Sequence, residues 1–556
     1  MVEEATDSPK PSSGLSRRSV MKGAAWTVPA LMVATAAPAY ALSCIEGNWA
    51  AIGRGKMLSG GLFNIDLDTL ASVDGTIASA PTLVAETGFV HGPNAEGDPD
   101  KHANPLSVTA LGTINVTATG LTTTVSQLLG LVASAPDGTG LLNQFGFAQS
   151  NGLSMGASGY VDDNGTIRVA PAGGYPQVAS LDLKQFLTPL LGSATTGFLA
   201  NVTNLKLDVG ALVGRAVLEQ MCNTVVNPQG YRLTREYLVA YLRLVLTSPL
   251  VGSIVTAVTS AVNTANLSVD SAALLTALGQ IPLLGPVVSA LVAAAAQPTV
   301  KISANVGQVI TALTSSPIGS GTAIITDLGG GTVTIDVASL LGSAFPGGAS
   351  AMANSLPANS VLFVDYPLPT NVLADQLSQM QNEIITRIAG FVSVEISYSI
   401  AGGLTTLRVS GTLADLLNGN ATITATLLGS SVVNGPITNA ALVTVGNIVR
   451  GGLLATGGVI NVALVALNNL LATIFDALKN LLNITLNVQN LPQANNNPSM
   501  PDNGPGPARW SSGAQALPTG RFDVAALGIT AVAALPVPSV LDLFLARGSV
   551  GPHTAA

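Results

Sequence analysis

Residues 371–396 read NVLADQLSQMQNEIITRIAGFVSVEI, and the spacing of their apolar side chains changes partway through. Up to Ile388 the apolar residues recur every three or four positions, which is the period of one helix face. From Val392 to Ile396 they alternate with polar residues, which is typical of a strand with one buried face. This stretch therefore predicts a helix that leads into a strand, and a chain of mixed secondary structure.

The two halves of the chain differ in the same way. Between Ala50 and about residue 209, short alternating segments punctuated by Gly and Thr predict strands, with a hairpin turn at Asn164-Gly165. After Tyr231, long apolar runs predict helices, and short strands follow the later ones. The expected helical segments are 233–262, 272–295, 371–388 and 437–482. We therefore predict an α+β fold with a β-rich body, sandwich-like or elongated, and several long apolar helices inserted in the C-terminal half.

Changes in composition divide the chain into five segments. These are a signal peptide (1–41), a β-rich N-terminal region (42–230), an alternating helix and strand region (231–490), a Pro/Gly/Asn-rich loop (491–513) and a C-terminal β segment (514–556). The last segment is expected to pair back onto the N-terminal sheet.

A weak internal repeat is a further hypothesis. Lys206, Lys301, Glu395 and Thr485 occupy the same place in four similar strands, roughly 90–95 residues apart. Repeats that stack on one another would give an elongated body. Recurrent Leu, Gly and Thr composition without a true repeat explains the same pattern.

Charged residues are scarce: they make up 9% of the 556 residues, against about 25% in ordinary soluble domains. With a net charge of −8 and no basic stripe, the chain is not expected to bind nucleic acid. Its 2 cysteines exclude a zinc or disulfide scaffold built on many cysteines. The abundance of Val, Leu and Ile argues against disorder, and no cofactor is predicted.

The N-terminal segment has the form of a twin-arginine export signal. A polar start is followed by two adjacent arginines, an apolar run and a small-x-small cleavage pattern, in that order. The signal residues are Ser16, Arg17, Arg18 and Lys22, and the cleavage residues are Ala39 and Ala41. We expect the twin-arginine export machinery and signal peptidase as partners, and a mature, already folded chain that starts near Leu42.

Outside the cytoplasm, Cys44 and Cys222 would be the only thiols, and a disulfide between them is expected. Two unpaired buried thiols, or acylation of Cys44 as in a lipoprotein, are the alternatives.

The apolar run from Gly452 to Phe475 contains asparagines and carries its leucines on one helix face, so it predicts a buried or amphipathic helix. No transmembrane anchor is predicted; a membrane-embedded protein is the alternative that this run leaves open.

Catalytic motifs are few. Residues 152–156 (GLSMG) match the G-x-S-x-G nucleophile elbow, which needs a sharp strand-to-helix turn and a nearby histidine. The residues around Ser154 predict a strand instead, and the chain order of hydrolases would make His553 the base. A serine-dependent hydrolase is therefore the alternative function, and contact of a histidine with Ser154 in a closed cleft would favour it.

One acidic loop is a candidate metal site. It holds Glu96, Asp98 and Asp100 between His91 and His102. Carboxylates this close are suited to Ca²⁺, or together with imidazole to another divalent ion. A solvated acidic loop without a metal is the commoner explanation of such a cluster.

Taken in order, several short motifs resemble the actinobacterial "choice-of-anchor G" family of secreted surface proteins. The motifs are GKMLSG (55–60) with IDLD (65–68), ANPLSVTAL (103–111), NQFGFA (143–148), TVTIDV (332–337) and FDVAAL (522–527) with SVGP (549–552). The resemblance implies a secreted or cell-surface protein without established catalytic residues. The chain stops after the shared ending without an anchoring segment, which leaves its attachment to the wall open.

The residues and the resemblance together predict an exported, non-catalytic cell-surface or secreted protein that is adhesin-like or structural. Because its surface carries little charge, it is expected to pack against cell-wall polymer or against copies of itself.

Overall fold

The computed structural model describes residues 49–63, 65–92, 97–118, 121–136, 138–172, 174–191, 199–222, 230–263, 267–342, 356–400, 402–455, 459–490, 520–531 and 541–556. Several predicted features lie outside these residues: the export signal with Ser16, Arg17, Arg18 and Lys22, the cleavage residues Ala39 and Ala41, Cys44, Glu96 and the loop 491–513.

Strands come first in the chain and also close it. The first half contains β1 (Trp49–Leu62), β2 (Ile65–Asp66), β3 (Gly75–Ala80), β4 (Phe89–Val90), β5 (Asp100–Ala103), β6 (Asn115–Ala118), β7 (Leu121–Thr124), β8 (Asn143–Gln149), β9 (Leu153–Gly159), β10 (Gln177–Asp182), β11 (Asn204–Gly210), β12 (Leu212–Gln220), β13 (Tyr231–Val239) and β14 (Leu242–Thr247). The second half contains β15 (Thr299–Ala304), β16 (Ile324–Asp327), β17 (Thr332–Asp336), β18 (Ser360–Val361), β19 (Val392–Ser399), β20 (Thr406–Thr412), β21 (Asn420–Leu427), β22 (Ser430–Thr438), β23 (Leu482–Gln489), β24 (Phe522–Ala531), β25 (Leu541–Val550) and β26 (Thr554–Ala555).

Among the described residues, the helices that are longer than α3 (Leu183–Leu191) all follow β14. The helices are α1 (Val108–Leu111), α2 (Val125–Leu129), α3 (Leu183–Leu191), α4 (Pro249–Ala261), α5 (Ser271–Gly279), α6 (Gly285–Ala293), α7 (Val306–Thr314), α8 (Val337–Leu341), α9 (Val372–Ile388), α10 (Leu413–Leu417), α11 (Ala440–Leu453) and α12 (Val459–Leu481), with 3-10 turns at Ala71–Val73 and Leu199–Asn201. With 30% helix and 41% strand, the protein has the β-rich α+β fold that the sequence predicts.

Two sheets form a sandwich that carries both ends of the described chain. The first sheet has the order β18-β23-β24-β25-β1-β3-β4, with β2 and β26 also paired to β1, and the second has the order β13-β12-β9-β8-β5. The C-terminal strands β24 and β25 pair with each other, and β25 pairs with β1. The prediction that the C-terminal segment returns to the N-terminal sheet is therefore confirmed.

Glycines let the backbones of these two sheets touch. A Cβ atom at Gly156 would lie well inside 3.0 Å of backbone atoms of Arg54 and Ser549, and one at Gly214 would meet the carbonyl oxygen of Ala546 equally closely. Sheets separated by ordinary side chains lie about 10 Å apart, so the sequence positions these glycines where the closest approach occurs.

Two further five-stranded sheets carry the helices. The third sheet has the order β10-β11-β14-β17-β16, and the fourth has the order β15-β19-β20-β21-β22. Helix α12 packs on α4, and α11 packs on α5 and α10. One continuous cluster of buried apolar residues joins these elements to the sandwich.

The predicted helix 371–388 and the strand after it are confirmed as α9 and β19. The predicted helix 233–262 is wrong over most of its first half, because residues 231–239 and 242–247 form β13 and β14. Their leucines favour helices in isolation, but apolar and polar residues alternate along β14, and pairing with β11 and β17 overrides that preference.

Two other predicted helices are each divided in two. The segment 272–295 forms α5 and α6, since Pro282 cannot continue a helix and Pro286 begins the next one. The segment 437–482 forms α11 and α12, and its first residues still belong to β22.

Helix α12 contains residues 459–475 of the apolar run that the sequence assigns to one buried or amphipathic helix, whereas Gly452 and Leu453 end helix α11. Its residues from Ile460 to Leu481 are long and apolar enough to cross a membrane by length and composition. The leucines 464, 467, 471 and 478 are buried against the protein, whereas Val462 and Val465 are exposed. This one-sided burial confirms the prediction of an amphipathic helix.

The hairpin turn at Asn164-Gly165 is also present. The Gly165 N–H donates to the carbonyl oxygen of Asp162 at 3.0 Å, and Val161 bridges to Ile167.

The four residues of the repeat hypothesis lie in four different strands. Lys301 and Glu395 pair directly in the neighbouring strands β15 and β19, whereas Lys206 lies in β11 and Thr485 lies in β23.

Candidate functional site

Ser154 lies in the second position of strand β9, with β8 on one side and β12 on the other. Its side chain is fully buried. A nucleophile elbow requires a sharp turn between a strand and a helix, and residues 153–159 are a continuous strand. The prediction that the residues around Ser154 form a strand is confirmed.

His553 nevertheless contacts this serine. Its Nε2 atom lies 2.7 Å from Ser154 Oγ, and its Nδ1 atom lies 3.4 Å from Nε2 of Gln220. The pairing of β26 with the start of β1 brings His553 to this place. The histidine that the order of hydrolase motifs would require is therefore the one beside the serine.

The surroundings of His553 are those of a structural hydrogen bond. Burial and the nearby charge of Arg54 lower the pKa of His553 to about 3, whereas a general base works best with a pKa near the operating pH. An amide, not a carboxylate, faces Nδ1. When the Gln220 amide donates to Nδ1, the ring proton is on Nε2, and Ser154 Oγ accepts a hydrogen bond instead of losing its proton.

Replacing His553 by glutamine is expected to reduce the loss of stability in mild acid. Because the unfolded chain binds a proton at His553 below about pH 6.5 and the folded chain does so only near pH 3, this histidine favours unfolding as the pH falls between these values. Between about pH 7 and pH 4.5, chemical unfolding should show a loss about 2 kcal/mol smaller in the variant than in the wild type. Equal losses in the two proteins would contradict the buried, neutral histidine.

The acidic loop does not act as one group. Asp98 accepts hydrogen bonds from the backbone N–H and the hydroxyl of Ser150, and Glu96 lies outside the described residues. Asp100 and His102 belong to strand β5, so the prediction that Asp100 lies in the loop is wrong. Because they are two positions apart in a strand, their side chains share one face.

His91, Asp100 and His102 meet at the edge of the sandwich, between β3 and β5. His102 Nε2 lies 2.6 Å from Asp100 Oδ1, and His91 Nδ1 lies 3.8 Å from Asp100 Oδ2. One ligand atom from each of the three residues lies within 4.8 Å of the others, an arrangement suited to a metal ion. The D-x-H pattern of a strand was the signal in the sequence that reasoning from a loop missed.

Buried charges cross the outer face of the first sheet. Arg521 contacts Asp523 and Glu86, at 3.2 and 2.7 Å, and Arg547 contacts Asp523 at 2.5 Å. Arg54 contacts Glu86 at 2.6 Å. Burial opposes the ionisation of Asp523, but the two arginines beside it outweigh burial and hold its pKa below the usual range.

The outer face of the fourth sheet is polar. Paired positions place Thr299, Ser397, Arg408, Thr424 and Asn434 in one row across its five strands. The neighbouring row contains Lys301, Glu395, Ser410 and Thr422. The opposite face is apolar and buried. We call these two rows the hydroxyl face.

Cys222 is disulfide-bonded. The chain has 2 cysteines, and the other, Cys44, lies outside the described residues.

A family profile described as "Domain of unknown function (DUF8394)" matches residues 53–551. No curated protein matches the chain, and no solved structure matches it.

Proposed function

Because the chain belongs to the DUF8394 family, a domain of unknown function, we propose its function from the geometry. We propose that it is an exported, non-catalytic protein of the cell surface that adheres to wall polymer. The observation that carries this proposal is the hydroxyl face of the fourth sheet. The resemblance to secreted surface proteins and the N-terminal signal pattern support export to that place.

The hydroxyl face has the chemistry of a polysaccharide contact. Serine and threonine hydroxyls both donate and accept hydrogen bonds, as the hydroxyls of a glycan do. Thr422 and Thr424 are exposed two positions apart on β21, and Asn434 extends the row of Thr424 to the edge strand β22. Since only Lys301, Glu395 and Arg408 carry charge in these two rows, binding there is expected to depend on hydrogen bonds more than on ionic strength.

Replacing Thr422 and Thr424 together by glutamate is expected to weaken binding to purified cell walls at least tenfold, because two charges would face the polymer. Cosedimentation of the mature chain with the walls measures this. The matched control replaces Thr117 and Thr122, an exposed pair in the hairpin β6–β7, by glutamate and should bind as the wild type does. If the two variants bound the walls equally well, the proposal that the hydroxyl face binds wall polymer would be refuted. If the Thr422 and Thr424 variant lost only self-association, the partner of the hydroxyl face would be another copy of the chain.

An exported serine hydrolase is the second candidate, and the contact between Ser154 and His553 is the observation that favours it. The weak basicity of His553 and the place of Ser154 within a strand oppose it. We expect the mature chain not to react with a fluorophosphonate probe, and Ser154→Ala to leave wall binding unchanged. Labelling of the wild type that Ser154→Ala abolishes would establish the hydrolase instead.

A further inference from the structure

Three buried polar atoms converge at the edge where β3 and β5 meet. They are Nδ1 of His91, Oδ1 of Asp100 and Nε2 of His102, and none of the three makes a hydrogen bond. We propose that these residues bind one divalent transition-metal ion of the Zn²⁺ type. This proposal is independent of the proposed adhesive function.

The unpaired atoms are unusual because their residues are so deeply buried. The side chains of Asp100 and His102 are 1% and 5% exposed. Buried polar atoms in proteins nearly always have a hydrogen-bond partner. The 2.6 Å contact between His102 Nε2 and Asp100 Oδ1 lacks hydrogen-bond geometry. Two electron-rich atoms this close repel each other, and a cation that both atoms contact would offset this repulsion.

The second polar atom of two of these side chains is held by the backbone. His91 Nε2 lies 2.9 Å from the carbonyl oxygen of Val84, to which it can only donate. The ring proton is therefore on Nε2, and the lone pair of Nδ1 faces the cluster. Asp100 Oδ2 accepts a hydrogen bond from the backbone N–H of Ser79 at 2.8 Å.

These supporting contacts are connected to one another. The Val84 N–H donates to the hydroxyl of Ser79 at 2.8 Å, so a single short network orients both His91 and Asp100. Such hydrogen bonds from metal ligands to backbone carbonyls fix the tautomer and direction of the ligating rings. Gly92 adds a steric condition, because a Cβ atom there would lie inside 3.0 Å of His102 Nδ1.

The donor set selects the ion. Two imidazole nitrogens and one carboxylate suit Zn²⁺ and neighbouring transition metals, whereas Ca²⁺ prefers oxygen ligands alone. Three protein ligands leave a fourth position for water in a tetrahedral site. The side chain of His91 is 20% exposed, which gives the ion a route to the site. A bound ion would fasten the segment before β5 to the edge strand of the sandwich.

Metal binding by the full mature chain tests the proposal. After dialysis against a chelator, titration calorimetry with Zn²⁺ should show one ion per chain, and Co²⁺ should give the visible absorption of a tetrahedral complex. His91→Gln and His102→Gln should each weaken binding at least tenfold. The chain has 3 histidines, and His553 is the one outside the proposed site. His553→Gln is therefore the matched control, and this variant should bind Zn²⁺ as the wild type does.

The wild-type titration decides the matter even if a buried variant does not fold. Absence of stoichiometric Zn²⁺ and Co²⁺ binding would overturn the proposal. Binding that persists in the folded His91→Gln variant, or that His553→Gln reduces equally, would also overturn it, because the ion would then be held elsewhere.

Discussion

Replacing Asp523 by asparagine is expected to lower the free energy of unfolding by about 3–5 kcal/mol, the usual cost of removing one partner from a buried ion pair. The carboxylate is fully buried and contacts both Arg521 and Arg547. Asparagine keeps the shape but removes the charge, so Arg521 and Arg547 would each lose one carboxylate partner, and Glu86 would remain beside Arg521. Chemical unfolding of the two proteins at neutral pH measures the difference.

The matched control is Glu395→Gln, which removes a carboxylate from an exposed pair with Arg408 at 2.7 Å. Exposed pairs contribute about 0–1 kcal/mol, so this variant should unfold almost as the wild type does. Similar losses in both variants would show that burial of the network does not determine its contribution.

The same network predicts sensitivity to acid. Burial opposes the ionisation of Glu86 as well, but Arg521 and Arg54 lower its pKa below the usual value. For Asp523 and Glu86 alike, a lowered pKa in the folded chain means that the stabilisation is present at neutral pH and is lost as the pH falls below the carboxyl pKa of the unfolded chain.

Replacing Gly156 by alanine is expected to cost about 3 kcal/mol, at the upper end of the cost of overpacking. The added methyl group would meet backbone atoms of Arg54 on β1 and Ser549 on β25. Backbone within paired strands cannot turn aside as a side chain can, so the two sheets would have to separate. Chemical unfolding, together with the wall-binding assay, measures the effect on stability and on function.

The matched control is Gly451→Ala, in helix α11, where no atom lies within 4 Å of the added Cβ. Alanine is the better helix former, so this change should stabilise the chain by about 0.5 kcal/mol. If Gly156→Ala were as stable as the wild type, the two sheets could not be in the backbone contact that defines the sandwich.

Local patterns in the sequence predicted much of the fold. The helical period of residues 372–388 and the alternation after Val392 correspond to α9 and β19. In such amphipathic elements the spacing of the apolar residues shows which face is buried, so the sequence alone is enough to predict them. The strands β13 and β14 were not predicted, since pairing of β13 with β12, and of β14 with β11 and β17, decides their conformation.

The candidate sites depend on contacts that no local pattern encodes. Ser154 and His553 are 399 positions apart, and only the return of the C-terminal strands to β1 brings them together. The sequence placed His91 near Asp100 and His102, but it gave no sign that Val84 and Ser79 would orient them. Arg521 and Glu86, 435 positions apart, form their contact for the same reason.

Fractionation of a culture into medium, wall, membrane and cytoplasm, with the mass of the chain determined in each, tests most directly whether this protein acts outside the cytoplasm as a wall adhesin. We expect a chain that begins near Leu42, found in the medium or released from the wall without detergent. A chain that retains residues 1–41 and stays in the cytoplasm, or a cleaved chain that only detergent extracts from the membrane, would contradict the proposed function.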